Sequence, residues 1–142
     1  YLVKLVSIDA LQNEKQTNNA VATFIFMKGN LNDYDFCLRS LSEEPAPEDT
    51  CNSIQADRFQ SDDPDQAITF CNQIRWVPIK TRCYENVVRN ILAVTHDERA
   101  GKQEIRQAVD KAKHLCTQLQ NSIPDNNPHK YLVENCFNLG SL

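Results

Sequence analysis

Residues 61–95, SDDPDQAITFCNQIRWVPIKTRCYENVVRNILAVT, decide how this chain folds, because they combine helix-start residues, apolar stripes and two cysteines. Asp62 or Asp63 can cap a helix, and Pro64 suits its first turn, where the missing N–H is no loss. Pro78 is predicted to end this helix, since proline disfavours helical geometry at the residue before it. The stretch therefore predicts two amphipathic helices folded back on each other.

The apolar residues of this stretch recur at the spacing of one helix face. The first face consists of Ala67, Phe70, Cys71, Ile74 and Val77. The second face consists of Tyr84, Val87, Val88, Ile91 and Thr95. Thr81 is predicted to cap the second helix. Because Cys71 and Cys83 come level in such an antiparallel hairpin, a disulfide between them is geometrically reasonable.

The overall composition limits the partners that the protein can have. The chain has 142 residues, a net charge of −4 and a pI of about 5.3, with no long basic run. An acidic domain is poorly suited to nucleic acid or to an anionic membrane surface, since both reward clustered Lys and Arg. The length suits one domain with its own core, and we expect a monomer spanning residues 1–142.

Six cysteines in one short chain indicate three disulfides and an oxidising compartment. Their spacing is too wide for the close Cys-x-x-Cys pairs of zinc sites. Fifteen connectivities are possible in principle, and a topology that threads distant helices together could use the six cysteines differently. Each local pair straddles a proline-containing turn, and this favours Cys37 with Cys51, Cys71 with Cys83, and Cys116 with Cys136.

The remaining segments are also interpreted as helices. Residues 1–8 favour helix, with a short strand as the alternative, and residues 18–29 pose the same question. Helix is kept for both, because no other part of the chain offers a strand to pair with. Further helices are predicted from Asn32 or Asp33 and over residues 49–59.

Two helices are predicted after the central hairpin. A long helix starting at His96 or Asp97 carries the apolar stripe Ile105, Ala108, Val109, Ala112, Cys116 and Leu119. The last helix is predicted to bury Tyr131, Leu132, Cys136 and Phe137. The expected fold is therefore all-α: a compact bundle of about seven or eight helices cross-linked by three disulfides. Since the chain opens abruptly at Tyr1 without a leader, we expect the C-terminal part of a longer secreted protein.

Catalytic chemistry has no visible basis in the sequence. His96, His114 and His129 form no metal-binding motif, and solvated or capping roles are expected for them. With all six cysteines oxidised, a thiol nucleophile is not expected. Phosphate-binding glycine loops and an Arg-Gly-Asp motif are also missing. We expect no enzyme activity, no cofactor and no metal site.

Several segments resemble a known family. These are DDPDQAITFC at 62–71, DERAGKQEIRQAVDKAKHLC at 97–116 and the ending ENCFNLGSL at 134–142. They look like the C-terminal domain of the mosquito salivary collagen-binding platelet inhibitors, the aegyptin and anopheline antiplatelet family. The resemblance extends over essentially the whole chain, although that family carries a signal peptide and an acidic Gly/Asp/Glu-rich segment ahead of this domain.

The resemblance implies an all-helical disulfide domain that is secreted in saliva. It further implies binding to fibrillar collagen of the host, which blocks platelet adhesion and aggregation. One alternative is a salivary inhibitor of complement or contact activation. Another is a small helical lipid or odorant carrier, although the Cys-x-x-x-Cys and Cys-x8-Cys pairs of that type are missing.

Three features are candidate collagen-binding residues. The first is an acidic turn formed by Glu43, Glu44, Glu48 and Asp49. The second is an acidic helix start formed by Asp62, Asp63 and Asp65. For both, turn solvation and helix capping are the alternative. The third is Trp76, which can anchor an interface because tryptophan is enriched at binding hot spots. Packing in the core is the alternative for this side chain.

Overall fold

A computed structural model of the protein describes residues 2–10, 20–27, 30 and 33–139. Two strands precede a region that is all-helical from Tyr34 to Leu139. The strands are β1 (Leu2–Ala10) and β2 (Ala20–Met27). The α-helices are α1 (Tyr34–Ser40), α2 (Pro47–Phe59), α3 (Pro64–Gln73), α4 (Val77–Leu92), α5 (Lys102–Ser122) and α6 (Val133–Leu139). Short 3-10 helices cover Ala93–His96 and Lys130–Leu132.

The prediction of helices in residues 1–8 and 18–29 is wrong, because the backbone of residues 2–10 and 20–27 is extended. Strands β1 and β2 pair antiparallel, from Leu2 opposite Met27 to Ala10 opposite Ala20. Both segments are rich in apolar and β-branched residues, which suit a strand. A strand seemed to have no partner in the chain, yet the two doubtful segments are each other's partners. Without these two helices, the six helices of the described region fall just short of the seven or eight expected.

The helices α1 and α2 begin close to where the sequence predicted. Asp33 caps α1, because its side-chain Oδ1 accepts a hydrogen bond from the N–H of Phe36 at 2.9 Å. Helix α2 begins at Pro47 in its first turn, two residues before the predicted start. The disulfide between Cys37 and Cys51 joins the two helices across the intervening proline turn.

The central hairpin forms as predicted, but its turn lies earlier than expected. Helix α3 ends at Gln73, and α4 begins at Val77 with Pro78 in its first turn. Pro78 therefore starts the second helix, because its missing N–H is harmless in a first turn. Thr81 is not the cap: it is buried within α4, and its hydroxyl donates to the carbonyl of Pro78 at 3.1 Å.

The two C-terminal helices differ from expectation in where they start and what they bury. Helix α5 begins at Lys102 rather than at His96 or Asp97, because a 3-10 turn and a loop come first. The last helix opens as a 3-10 turn, which leaves Tyr131 65% exposed rather than buried. A 3-10 turn places successive side chains at a different angle from an α-helix, so the predicted apolar face shifts.

Helix α4 lies at the centre of one hydrophobic core and packs against α2, α3, α5 and α6. Its buried Tyr84 donates its hydroxyl hydrogen to Asn72 at 2.6 Å. Other buried core residues include Ile68, Ile74, Val87, Val88, Leu92, Leu115, Leu119, Ile123 and Val133. Among the described residues, no helix is long and apolar enough to span a membrane.

All six cysteines are bonded in the predicted local pairs and are at most 1% exposed. The bonds join α1 to α2, α3 to α4, and α5 to α6, so each closes a helix hairpin. The connectivity prediction is therefore confirmed. Three disulfides in so small a domain indicate an oxidising, extracellular environment.

Candidate binding groove

The turn before α2 and the turn before α4 meet and form a groove of about 620 Å³ at the surface. We call it the Trp76 groove. It is lined by Glu44, Pro45, Ala46, Asp49, Thr50, Arg75, Trp76 and Ile79. Four of these eight side chains are apolar, and Glu44, Asp49 and Arg75 add charged groups to the lining. The groove thus brings together two of the features that the sequence singled out, the acidic turn and the tryptophan.

Trp76 is 54% exposed, so the core-packing alternative for this side chain is wrong. It occupies the N-cap position of α4 with extended backbone geometry, one residue before the helix begins. At that position its side chain does not follow the apolar stripe of the helix, whose first buried member is Val77. An exposed tryptophan in a concave apolar surface is a feature of binding sites.

Asp49 fixes the backbone on which Trp76 stands. Its Oδ1 accepts a hydrogen bond from the N–H of Arg75 at 3.0 Å, and its Oδ2 accepts one from the N–H of Trp76 at 2.8 Å. Asp49 is only 6% exposed and lies in the first turn of α2, where the helix dipole favours a negative charge. This candidate residue therefore orients the groove from inside, while Glu43, Glu44 and Glu48 remain at the surface.

The charges around the groove are mixed but mainly negative. The lining contains the carboxylates of Glu44 and Asp49 and the guanidinium of Arg75, while Glu48 lies near Arg75 and Lys80 lies near Asp49. Arg75 lies 3.7 Å from Glu48, and both side chains are well exposed, so this pair is weak. Burial lowers the pKa of Lys80, and the nearby negative charge of Asp49 opposes that shift.

The second acidic cluster lies at the other end of α2. Asp62, Asp63 and Asp65 follow the C-terminus of that helix, whose 13 residues separate them from the groove. At a rise of about 1.5 Å per residue, the helix spans about 20 Å. Asp63 caps α3 by accepting a hydrogen bond from the N–H of Gln66 at 3.0 Å. Asp65 forms an ion pair with Lys111 at 2.9 Å.

These contacts confirm the predicted capping role at the start of α3. They also leave the two acidic clusters as separate surfaces: the structure brings Trp76 to the first and not to the second.

Five residues that complete the groove were not predicted from the sequence, namely Pro45, Ala46, Thr50, Arg75 and Ile79. Pro45 and Ala46 lie in the proline-rich turn that was interpreted only as a connection between helices. Their relation to Trp76 depends on the hydrogen bonds of Asp49, which join residues 26 and 27 positions apart in the chain. A local sequence pattern does not indicate contacts between residues so far apart in the chain.

The described residues contain no group of three or more His, Cys, Asp or Glu side chains that could hold a metal ion. His96 and His114 are exposed and His129 is half-buried, and they occupy three separate segments of the chain. No known protein family, curated protein or solved structure matches the chain.

Proposed function

We propose that this protein is a secreted salivary protein that binds fibrillar collagen of a blood-feeder's host and thereby blocks platelet adhesion and aggregation. One observation supports this most strongly. Trp76, the single tryptophan of the chain, is exposed in a groove whose lining combines apolar side chains with the carboxylates of Glu44 and Asp49. The sequence resemblance to collagen-binding platelet inhibitors points to the same function.

Collagen offers surface chemistry that fits such a groove. Its chains are extended polyproline-II-like strands, rich in imino acids. Proteins recognise extended proline-rich segments in grooves lined by aromatic side chains, because the ligand loses little conformational entropy on binding. The exposed indole of Trp76 beside Pro45 and Ile79 provides such a surface. The carboxylates of the acidic turn suit the Lys and Arg side chains that collagen also displays.

The stability of the domain suits work outside the cell. Three buried disulfides close its helix hairpins. Such cross-links persist outside the cell because no thiol-reducing system breaks them there. A binding role needs no further chemistry from the site, since a bound domain of this size covers collagen surface that a platelet receptor would otherwise contact.

The open shape of the groove does not favour the lipid-carrier alternative. An acyl chain or odorant needs an enclosed apolar cavity that buries most of the ligand. The Trp76 groove is open to solvent and carries Glu44, Asp49 and Arg75 in its lining. The other alternative, inhibition of complement or contact activation, is distinguished from collagen binding by the assays described next.

The test is retention of the purified domain on fibrillar collagen, followed by platelet adhesion to the coated fibrils under flow. The proposal predicts saturable retention and a dose-dependent fall in adhesion. A haemolysis assay and a contact-activation clotting assay run in parallel. Inhibition in either assay without collagen retention would refute the proposal in favour of the complement and contact-activation alternative.

A further inference from the structure

We propose that the Trp76 groove contacts one strand of a collagen-like triple helix through two neighbouring side chains of that strand, a proline ring placed against Trp76 and a Lys or Arg placed against Glu44. This inference rests on the proposed function and specifies which part of a collagen-like ligand the protein reads. It assigns the binding surface to the junction of the α1–α2 turn with the start of α4.

The apolar part of the groove is suited to a proline ring. Pro45, Ala46, Ile79 and Trp76 line it, and none of the four carries a charge. A flat indole packs well against the face of a pyrrolidine ring, and removing this apolar surface from water favours the complex. A proline ring brings no hydrogen-bond donor that the apolar lining would leave unpaired.

The groove is held in place before any ligand arrives. Both oxygens of Asp49 accept backbone hydrogen bonds from the segment that carries Trp76. The disulfide between Cys71 and Cys83 ties together the two helices on either side of that segment. Because the backbone is already ordered, little conformational entropy is lost on binding, and this favours affinity.

The charged groups of the groove lining favour a cationic side chain next to the proline. Arg75 already has Glu48 as a partner at 3.7 Å, which reduces its repulsion of an incoming cation. Glu44 lines the groove and is exposed, so its carboxylate can accept a hydrogen bond from a Lys or Arg of the ligand. A Glu at the same ligand position would face the net negative charge of the acidic turn.

Trp76 makes the inference directly measurable, since it is the only tryptophan and its fluorescence reports on the groove alone. The probes are triple-helical host peptides of Gly-Pro-Pro repeats with one guest position that holds Lys, Ala or Glu. We expect the Lys peptide to shift the Trp76 emission to shorter wavelength at the lowest concentration. The Ala peptide should bind more weakly and the Glu peptide weakest.

Two variants separate the roles of the carboxylates. Glu44→Gln should weaken the Lys peptide by about twofold to fivefold, the range expected for one exposed ion pair, and should leave the Ala peptide unchanged. Glu98→Gln, in an exposed turn after α4, is the matched control and should change neither affinity. Equal affinity of all three peptides, or an equal effect of Glu44→Gln on the Lys and Ala peptides, would overturn the inference.

Collagen retention, measured beside the titrations, keeps this inference distinct from the proposed function. Retention on fibrils without any change in Trp76 emission would overturn the groove assignment and leave collagen binding intact. Peptide titrations that follow the expected order without retention on fibrils would support the groove and overturn the collagen function.

Discussion

Replacing Asp49 by Asn should loosen the groove and destabilise the fold at the same time. The carboxylate is 6% exposed and accepts two backbone hydrogen bonds, at 3.0 Å from Arg75 and 2.8 Å from Trp76. An Asn side chain of the same shape keeps one oxygen acceptor. Its NH₂ group then faces the other backbone N–H, so one donor is left without a partner.

The size of the effect follows from this geometry. A hydrogen bond to a charged group contributes about 1.5–3 kcal/mol, and an unsatisfied buried donor costs about 1–3 kcal/mol. We therefore expect Asp49→Asn to lower the free energy of unfolding by about 2–3 kcal/mol. That is a large share of the roughly 5–15 kcal/mol by which domains are stable, and it corresponds to a melting temperature lower by about 10 °C.

The assay is chemical denaturation followed by far-UV circular dichroism, with Trp76 emission of the native protein recorded separately. Asp57→Asn is the matched control, because Asp57 is an exposed carboxylate on the same helix. Its free energy of unfolding should lie within about 0.5 kcal/mol of the wild-type value. An Asp49→Asn protein with wild-type stability and wild-type Trp76 emission would refute the anchoring role of Asp49.

Three further predictions concern the scaffold. Replacing Cys71 and Cys83 together by Ser should lower the free energy of unfolding by about 3 kcal/mol, because the bond closes a loop of 12 residues. Full reduction of all three disulfides should abolish the cooperative melt, and an unchanged melt after reduction would contradict this. Burial raises the pKa of Tyr84 from 10.0 to about 12, so its contribution to the free energy of unfolding is fully present below pH 10 and falls by about 2–3 kcal/mol between pH 10 and 12. Chemical denaturation across this pH range should show the fall, and a Tyr84→Phe protein that shows the same fall would contradict the assignment to Tyr84. Asp63→Ala should lower the free energy of unfolding by about 1 kcal/mol through loss of the α3 cap without weakening collagen binding, whereas Asp62→Ala should change stability little. A thermal melt and a collagen titration of each variant check this, and weaker collagen binding by a variant of wild-type stability would place the binding site at the start of α3.

Much of the helical region could be predicted from the sequence because its determinants are local. Asp33 and Asp63 cap the helices as expected, and the apolar stripes of the central hairpin match the core except at Thr95. The disulfide pairs could be predicted because each joins neighbouring helices across a short turn. The role of Pro78 was misjudged, since proline is compatible with both the residue after a helix and the first turn of the next one.

The rest depends on contacts between distant parts of the chain. Strands β1 and β2 are defined by each other, so neither segment reveals its structure when it is considered alone. The backbone N–H of Trp76 is held by a hydrogen bond to Asp49, which lies 27 positions earlier in the chain. Both Trp76 and Asp49 were candidate site residues, but only the fold separates the contact surface from its internal support.

The collagen affinity of Trp76→Ala decides whether this domain binds collagen through the Trp76 groove. The matched control is Tyr131→Ala, which removes the other large exposed aromatic side chain of the described region, 65% exposed against 54% for Trp76. Surface plasmon resonance on immobilised fibrillar collagen should show Trp76→Ala binding about tenfold or more weakly, as for a hot-spot residue, and Tyr131→Ala binding within about twofold of the wild type. Equal affinities for the wild type and Trp76→Ala, with both proteins folded, would contradict the account.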